Sequence, residues 1–194
     1  MDLVGLMTAI AAGDHSLVRS AAPSLATARL AREDEFFLDA LRAQVYEGDT
    51  ALHAAAFAYD VESARVLLAN GADVRARNRR GGEPLHAAAA GDPGSARWNP
   101  RRQRAVIEYL VEAGADPDAT ALGGVTALHR AVRNRCSAAV DALLRAGADP
   151  SLTNDNGSRP ADLAHWTTGR GGVGGQAAKT EQLVIIDLLA STTR

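Results

Sequence analysis

The sequence predicts an all-α solenoid, a stack of helix-turn-helix units joined by short hairpin-like loops. Three observations carry this. Leu-His recurs at Leu52-His53, Leu85-His86 and Leu128-His129, at steps of 33 and 43 residues. Gly-Ala-Asp recurs from Gly71, Gly114 and Gly147, at steps of 43 and 33. Apolar residues make up 46% of the 194-residue chain but aromatics only 4%, so the core has to be built from alanine and other small side chains. A fixed period of this size marks a repeat array rather than a closed domain.

Both markers keep the same 33-residue period, and their unequal steps locate one ten-residue insertion between His86 and Gly114. Thr50 and Thr126 stand as N-caps before alanine-rich first helices. Pro84 and Pro160 fit the first helical turn, where a missing N–H costs nothing. Second helices end in Val66-Leu67-Leu68, Ile107 to Val111 and Leu143-Leu144. Gly71, Gly114 and Gly147 follow as left-handed C-terminal residues. Asp73, Asp116 and Asp149 recur with the unit and read as turn-stabilising. A degenerate unit starts at Arg159-Pro160-Ala161-Asp162 and returns late, at Leu183 to Leu189, which implies a second insertion. A fainter one lies at Ala11 to Val18. Atypical end units are what capping an array requires.

The expected organisation is one domain over 1–194. Its parts are an N-terminal cap with an extra helix (1–48), a repeat (49–81), a repeat with an insertion near 91–101 (82–124), a repeat (125–157), and a C-terminal capping repeat with a glycine-rich insertion near 167–180 (158–194). Phe36, Phe37, Leu38 and Leu41 are expected to form the extra helix, packed on the first repeat.

Thr50-Ala-Leu-His-Ala-Ala followed by Val66-Leu-Leu-Ala-Asn-Gly-Ala-Asp resembles the ankyrin repeat, whose pattern is T-P-L-H-x-A-A and then L-L-x-x-G-A-D. Three copies in register cover about 45–166, and the ends match weakly. Glu83 and Arg159 replace the usual threonine, and Ala51 and Ala127 the usual proline. The compositional bias toward Arg, Ala and Gly makes a bacterial member the expectation. The resemblance implies about four repeats plus the N-terminal helical pair, and repeat histidines that hydrogen-bond backbone between neighbouring units.

The net charge is −2 and Lys179 is the only lysine, so the molecule as a whole has no strong pull toward nucleic acid or anionic membrane. One cysteine, Cys136, excludes an internal disulfide. No basic segment opens the chain and its first apolar stretch breaks at Gly13-Asp14, so no signal peptide is expected and a cytoplasmic location is. His53, His86 and His129 do not suit a metal. Equivalent positions on stacked helices stand ~8–10 Å apart, whereas a zinc ligand sits ~2 Å from its ion. Neither His15 nor His165 has an evident partner. Arg133 and Arg135 beside Cys136 are of the kind that lowers a thiol pKa, but no base accompanies them; a surface or half-buried thiol is expected. Gly169 to Gly175, followed by Lys179-Thr180, lacks the spacing and the strand of a phosphate loop. No catalytic constellation, cofactor or metal is expected, and the chain reads as a non-enzyme.

The expected function is a protein-protein interaction scaffold, a monomer by expectation, that takes a partner protein or peptide on the concave surface of the stack. Carried onto this register, the resemblance assigns partner contacts to the hairpin positions Tyr46, Glu47, Asp49, Arg77, Arg79, Arg80, Leu122, Val125, Asp155 and Asn156, and to Phe57, Arg133, Asn134 and Trp166 at helix ends. Arg75, Arg77, Arg79 and Arg80 crowd one hairpin, which makes either a basic patch for an acidic peptide or a solvated loop. Both tryptophans fall at the two insertions. Trp98 and Trp166 either wall a pocket or pack their own loops. The alternative function is anion or nucleic-acid binding through the arginine-rich hairpin and the glycine-rich loop.

Overall fold

The computed structural model describes residues 1–165 and 175–191. The chain begins with α1 (Leu3–Ala12), α2 (His15–Ser20) and the short α3 (Pro23–Thr27). A hairpin follows, β1 (Phe36–Leu38) and β2 (Ala43–Val45). Then come α4 (Ala51–Phe57) with α5 (Val61–Ala69), and α6 (Pro84–Ala88) with α7 (Pro100–Glu112). A minimal hairpin, β3 (Thr120–Ala121) and β4 (Val125–Thr126), precedes α8 (Ala127–Arg133) and α9 (Ser137–Arg145). The last pair is α10 (Pro160–Ala164) with α11 (Gln176–Ser191).

Two rows of helices build the molecule. The first helices α1, α4, α6, α8 and α10 stack in sequence order, and so do the second helices α2, α5, α7, α9 and α11. The all-α repeat solenoid read from the sequence is therefore the fold, and among the described residues the short strands lie in the connecting hairpins. Alanine makes the first row possible. Ala51, Ala55, Ala56, Ala88 and Ala131 are at most 1% exposed, and each brings backbones together without a bulky side chain. Leu52, Leu85 and Leu128 fill the equivalent gap in successive units and are fully buried.

Local chemistry sets the helix ends. Asp2, Asp14, Asp60 and Asn99 accept backbone N–H groups at the starts of α1, α2, α5 and α7. Gly71, Gly114 and Gly147 adopt φ of +87°, +101° and +91°, the left-handed geometry that ends each second helix. Asp73, Asp116 and Asp149 accept the N–H two residues on, at 2.9, 3.0 and 2.8 Å, so they are turn residues. Lacking a side-chain cap of its own, α9 receives one from α11: the Ser137 N–H donates to Glu181 at 3.1 Å.

The histidine ladder runs through the first row. Each Nδ1 accepts the N–H of the residue before its helix: Thr50 to His53 at 3.1 Å, Glu83 to His86 at 3.2 Å and Thr126 to His129 at 3.4 Å. The proton must then sit on Nε2. It donates to the next unit, from His53 to the Gly82 carbonyl at 3.1 Å, from His86 to Val125 at 3.1 Å and from His129 to Ser158 at 2.9 Å. Neutral imidazole is the form that does both jobs. Burial favours it, lowering the pKa of all three and holding His86 at about 4.

The segment expected as an extra helix is a hairpin instead. Phe36 pairs with Val45, Phe37 with Gln44 and Leu38 with Ala43. Burial alternates along β1, with Phe37 outward and Leu38 inward. Aromatic residues favour such a half-buried pleated surface, and a run this short fits strand and helix spacing alike, so its spacing does not decide between them. Gln44 reinforces the open end of the hairpin by donating to the carbonyls of Phe36 and Val45, both at 3.1 Å. Leu30 anchors the hairpin's base through backbone bonds with Gly48 and Asp49, both 2.8 Å.

Candidate binding surface along the hairpins

The loops between units, here called fingers, are tied to each other by their main chains. Arg79 N–H donates to the Glu47 carbonyl at 2.8 Å, Leu122 N–H to Arg80 at 2.8 Å and Asp155 N–H to Gly123 at 3.0 Å. Asn78 and Asn154 shape two of these fingers from within. Each donates its own N–H across the turn, to Gly82 and Ser158, and each side-chain carbonyl accepts two backbone N–H groups. At Gly48, φ is +82° and an added Cβ would lie 2.9 Å from the Asn78 Cα, so adjacent fingers approach too closely for a side chain.

The candidate residues divide on this frame. Leu122 is 70% exposed at a finger tip. Arg80, Arg133, Asp155 and Asn156 are exposed, while Tyr46, Glu47, Phe57, Val125 and Asn134 are half-buried. Tyr46 lies beneath two guanidinium groups, with Arg79 5.0 Å and Arg80 5.4 Å from its ring centre. Asp49 does not face solvent. It is 5% exposed and its carboxylate accepts Tyr46 N–H at 2.7 Å and Asn78 Nδ2 at 2.8 Å, which makes it part of the finger's scaffold.

The arginine-rich finger is mostly cross-linking. Arg75 donates to the Gly114 carbonyl at 2.8 Å. Arg77 donates to Gly81 at 3.2 Å and to Thr120 on the next finger. Arg79 forks onto Glu35, whose carboxyl it holds below the ordinary range. Arg80 differs, since its guanidinium has no carboxylate among the described residues and rests on Tyr46.

Trp98 packs its own insertion. Its indole N–H donates to Gln103 at 2.8 Å, and its ring closes on Gly91, where a Cβ would stand 3.0 Å from Cδ1. The fully buried Gln103 also donates to the Ala88 and Ala90 carbonyls at 3.0 and 3.1 Å, so it holds the insertion to α6. Trp166 and most of the glycine-rich loop lie outside the described residues. Cys136 is fully buried beneath the same insertion rather than at the surface, and burial pushes its thiol up to about 12 despite the neighbouring arginines.

Three residues that sequence reasoning passed over matter here. Arg130 follows His129 where the other units carry Ala54 and Ala87, and its guanidinium donates to the His86 carbonyl at 3.1 Å. Only that break in the alanine column signals it. Gln103 is a polar residue on the apolar face of α7, a signal of the same kind. His15 finds partners on the next unit, with Nε2 3.0 Å from Asp60 and Nδ1 3.1 Å from Glu62, for which the sequence offered no sign.

Known proteins share this arrangement. A family model described as ankyrin repeats (3 copies) matches residues 6–121, and one described as ankyrin repeats (many copies) matches 110–164. The chain belongs to the ankyrin-repeat family. It is also similar to mouse ankyrin repeat and SOCS box protein 16, at 42% identity over 117 residues. That match covers 59% of this chain and 25% of the relative, so the chain spans about a quarter of the length of the curated protein it matches. Ankyrin repeats generally mediate protein-protein interaction and are typically non-catalytic. No described helix is long and apolar enough to cross a membrane.

Proposed function

We propose that this ankyrin-repeat protein is a non-catalytic scaffold, and that its partner protein or peptide binds along the finger tips and the adjoining side of the first-helix row. A monomer working in the cytoplasm is part of this reading. The observation that carries it is Leu122, a large apolar side chain left 70% exposed on a finger fixed by main-chain bonds to its neighbour. Apolar exposure of this kind marks contact surfaces where it joins a patch. Arg80 neighbours it, and arginine is enriched at the contacts that carry binding energy. Fingers already held in place lose little freedom when a partner docks, which favours affinity.

The reading is tested by affinity capture with mass spectrometry from the source cell. A Leu122→Asp/Arg133→Glu variant is expected to lose partners that wild type retains. Arg101→Glu, an exposed charge reversal on the second-helix row, is expected to keep them. Equal capture by wild type and the double variant, with the fold intact by circular dichroism, contradicts the proposal.

A further inference from the structure

Beside the finger tips lies a small groove, lined in part by Tyr46, Asp49 and Phe57, whose occupant the family resemblance does not name. The β1–β2 hairpin forms one wall and the first-helix row the other. Leu41, Phe57 and Ala87 give it apolar sides, and Arg130, Glu83 and the Asp49 carboxylate, itself held by Tyr46 N–H and Asn78, give it polar ones. The cavity measures about 70 Å³, room for the tip of one side chain. The hairpin, which is not part of the repeat pattern, is what closes it.

Two polar groups in the groove are incompletely used. Arg130 spends one guanidinium nitrogen on the His86 carbonyl, and no carboxylate pairs with it among the described residues. Burial lowers the Arg130 pKa and the charges of Arg80 and Arg133 add to that, while Tyr46 and the Asp49 carboxylate act the other way. The Glu83 side chain is 7% exposed and its Oε2 is buried with no partner among the described residues. A half-buried guanidinium with no carboxylate in contact has donors free for an anion, and an unpaired buried oxygen is costly.

We infer that the groove between the β1–β2 hairpin and the first-helix row takes a glutamate or aspartate side chain from an acidic peptide segment of the partner, with its carboxylate on Arg130 and a peptide N–H on Glu83. This rests on the scaffold reading and adds the partner's chemistry. A peptide supplies both missing groups, a carboxylate for the guanidinium and an N–H for the carboxyl. A polyphosphate supplies only the first, and it brings more negative charge against Glu83 and Asp49 than a single carboxylate does. The fork geometry of arginine suits a carboxylate in two contacts, and the apolar walls hold the side chain's methylenes.

The probe is a fluorescein-labelled nonapeptide of alternating Glu and Ala, compared with its Gln–Ala counterpart and with a labelled ten-residue oligothymidylate, by fluorescence anisotropy. The Glu–Ala peptide is expected to bind wild type at least tenfold tighter than the Gln–Ala peptide. Arg130→Gln, and separately Ala87→Leu, which fills the groove without touching a hydrogen bond, are each expected to weaken it at least tenfold. An NMR titration of wild type needs no variant: the Arg130 Nε–H resonance should shift saturably with the Glu–Ala peptide while that of Arg101 stays in place. An unmoved Arg130 resonance, variants that bind like wild type, or tighter binding of the oligonucleotide through Arg130 overturns the inference. If the groove variants bind normally while Leu122→Asp/Arg133→Glu still abolishes partner capture, the groove assignment falls and the finger surface stands.

Discussion

Mild acid should weaken this protein well before its carboxylates are protonated, through His86. Burial holds its imidazole at about 4, against an ordinary 6.5. Between those values the unfolded chain binds a proton that the folded protein refuses. Stability is therefore complete above pH 6.5, falls as the pH drops, and stops falling from this source below about 4. Each pH unit inside the window costs about 1.4 kcal/mol, so going from pH 6.5 to 5 removes roughly 2 kcal/mol through His86 alone. His53 and His129 are shifted in the same direction, also by burial first, and add to the loss. The structural cause is specific: a proton on Nδ1 would face the Glu83 N–H that this nitrogen now accepts. Urea unfolding by circular dichroism at pH 7.5, 6.5 and 5 measures the slope, and ¹H–¹³C spectra of the imidazoles identify the residue. Unchanged stability between pH 6.5 and 5, or a His86 resonance titrating near 6.5, refutes the reasoning.

Gln103→Ala strips two backbone carbonyls and the Trp98 indole of their shared partner, and should cost about 2–4 kcal/mol with a shift in tryptophan emission, read by urea unfolding and fluorescence. Gly48→Ala should destabilise more than Gly114→Ala. Both residues have positive φ, a strain of about 1–2 kcal/mol for alanine, but only at Gly48 would the new Cβ meet backbone, at 2.9 Å, and equal melting temperatures for the two variants contradict this. The Cys136 thiol, fully buried and pushed up to about 12, should react with a disulfide reagent only as the protein unfolds, so prompt labelling of the native protein at pH 8 would show the insertion to be open.

The repeat frame was legible because its signals are local and periodic. Caps at Thr50 and Thr126, prolines at first turns and glycines at helix ends act within a few residues of their own position. The histidine ladder reaches 29 to 39 residues along the chain, and it was expected only because the resemblance to the ankyrin repeat implies it. Contacts without that periodicity stayed hidden. Arg77 and Arg79 read as a basic patch, yet they spend their donors on Thr120 and Glu35, more than 40 residues away. Asp49 looked like a tip residue and is buried by Asn78 of the next finger. The hairpin at 36–45 lies outside the repeat, so no register constrained it, and a short apolar run does not by itself distinguish strand from helix.

The main-chain bonds between fingers use an amide and a carbonyl, a pair that every residue but proline carries. The spacing of the tips is thus independent of what the tips display. Arg80, Leu122 and Asn156 can be exchanged in combination while the rack that holds them keeps its pitch, whereas proline at 79, 122 or 155 would unhook a slot, and Gly48, Arg77 and Asn78 belong to the rack itself. Recognition in this molecule can therefore drift or be reprogrammed one tooth at a time, without reopening the question of whether the chain folds.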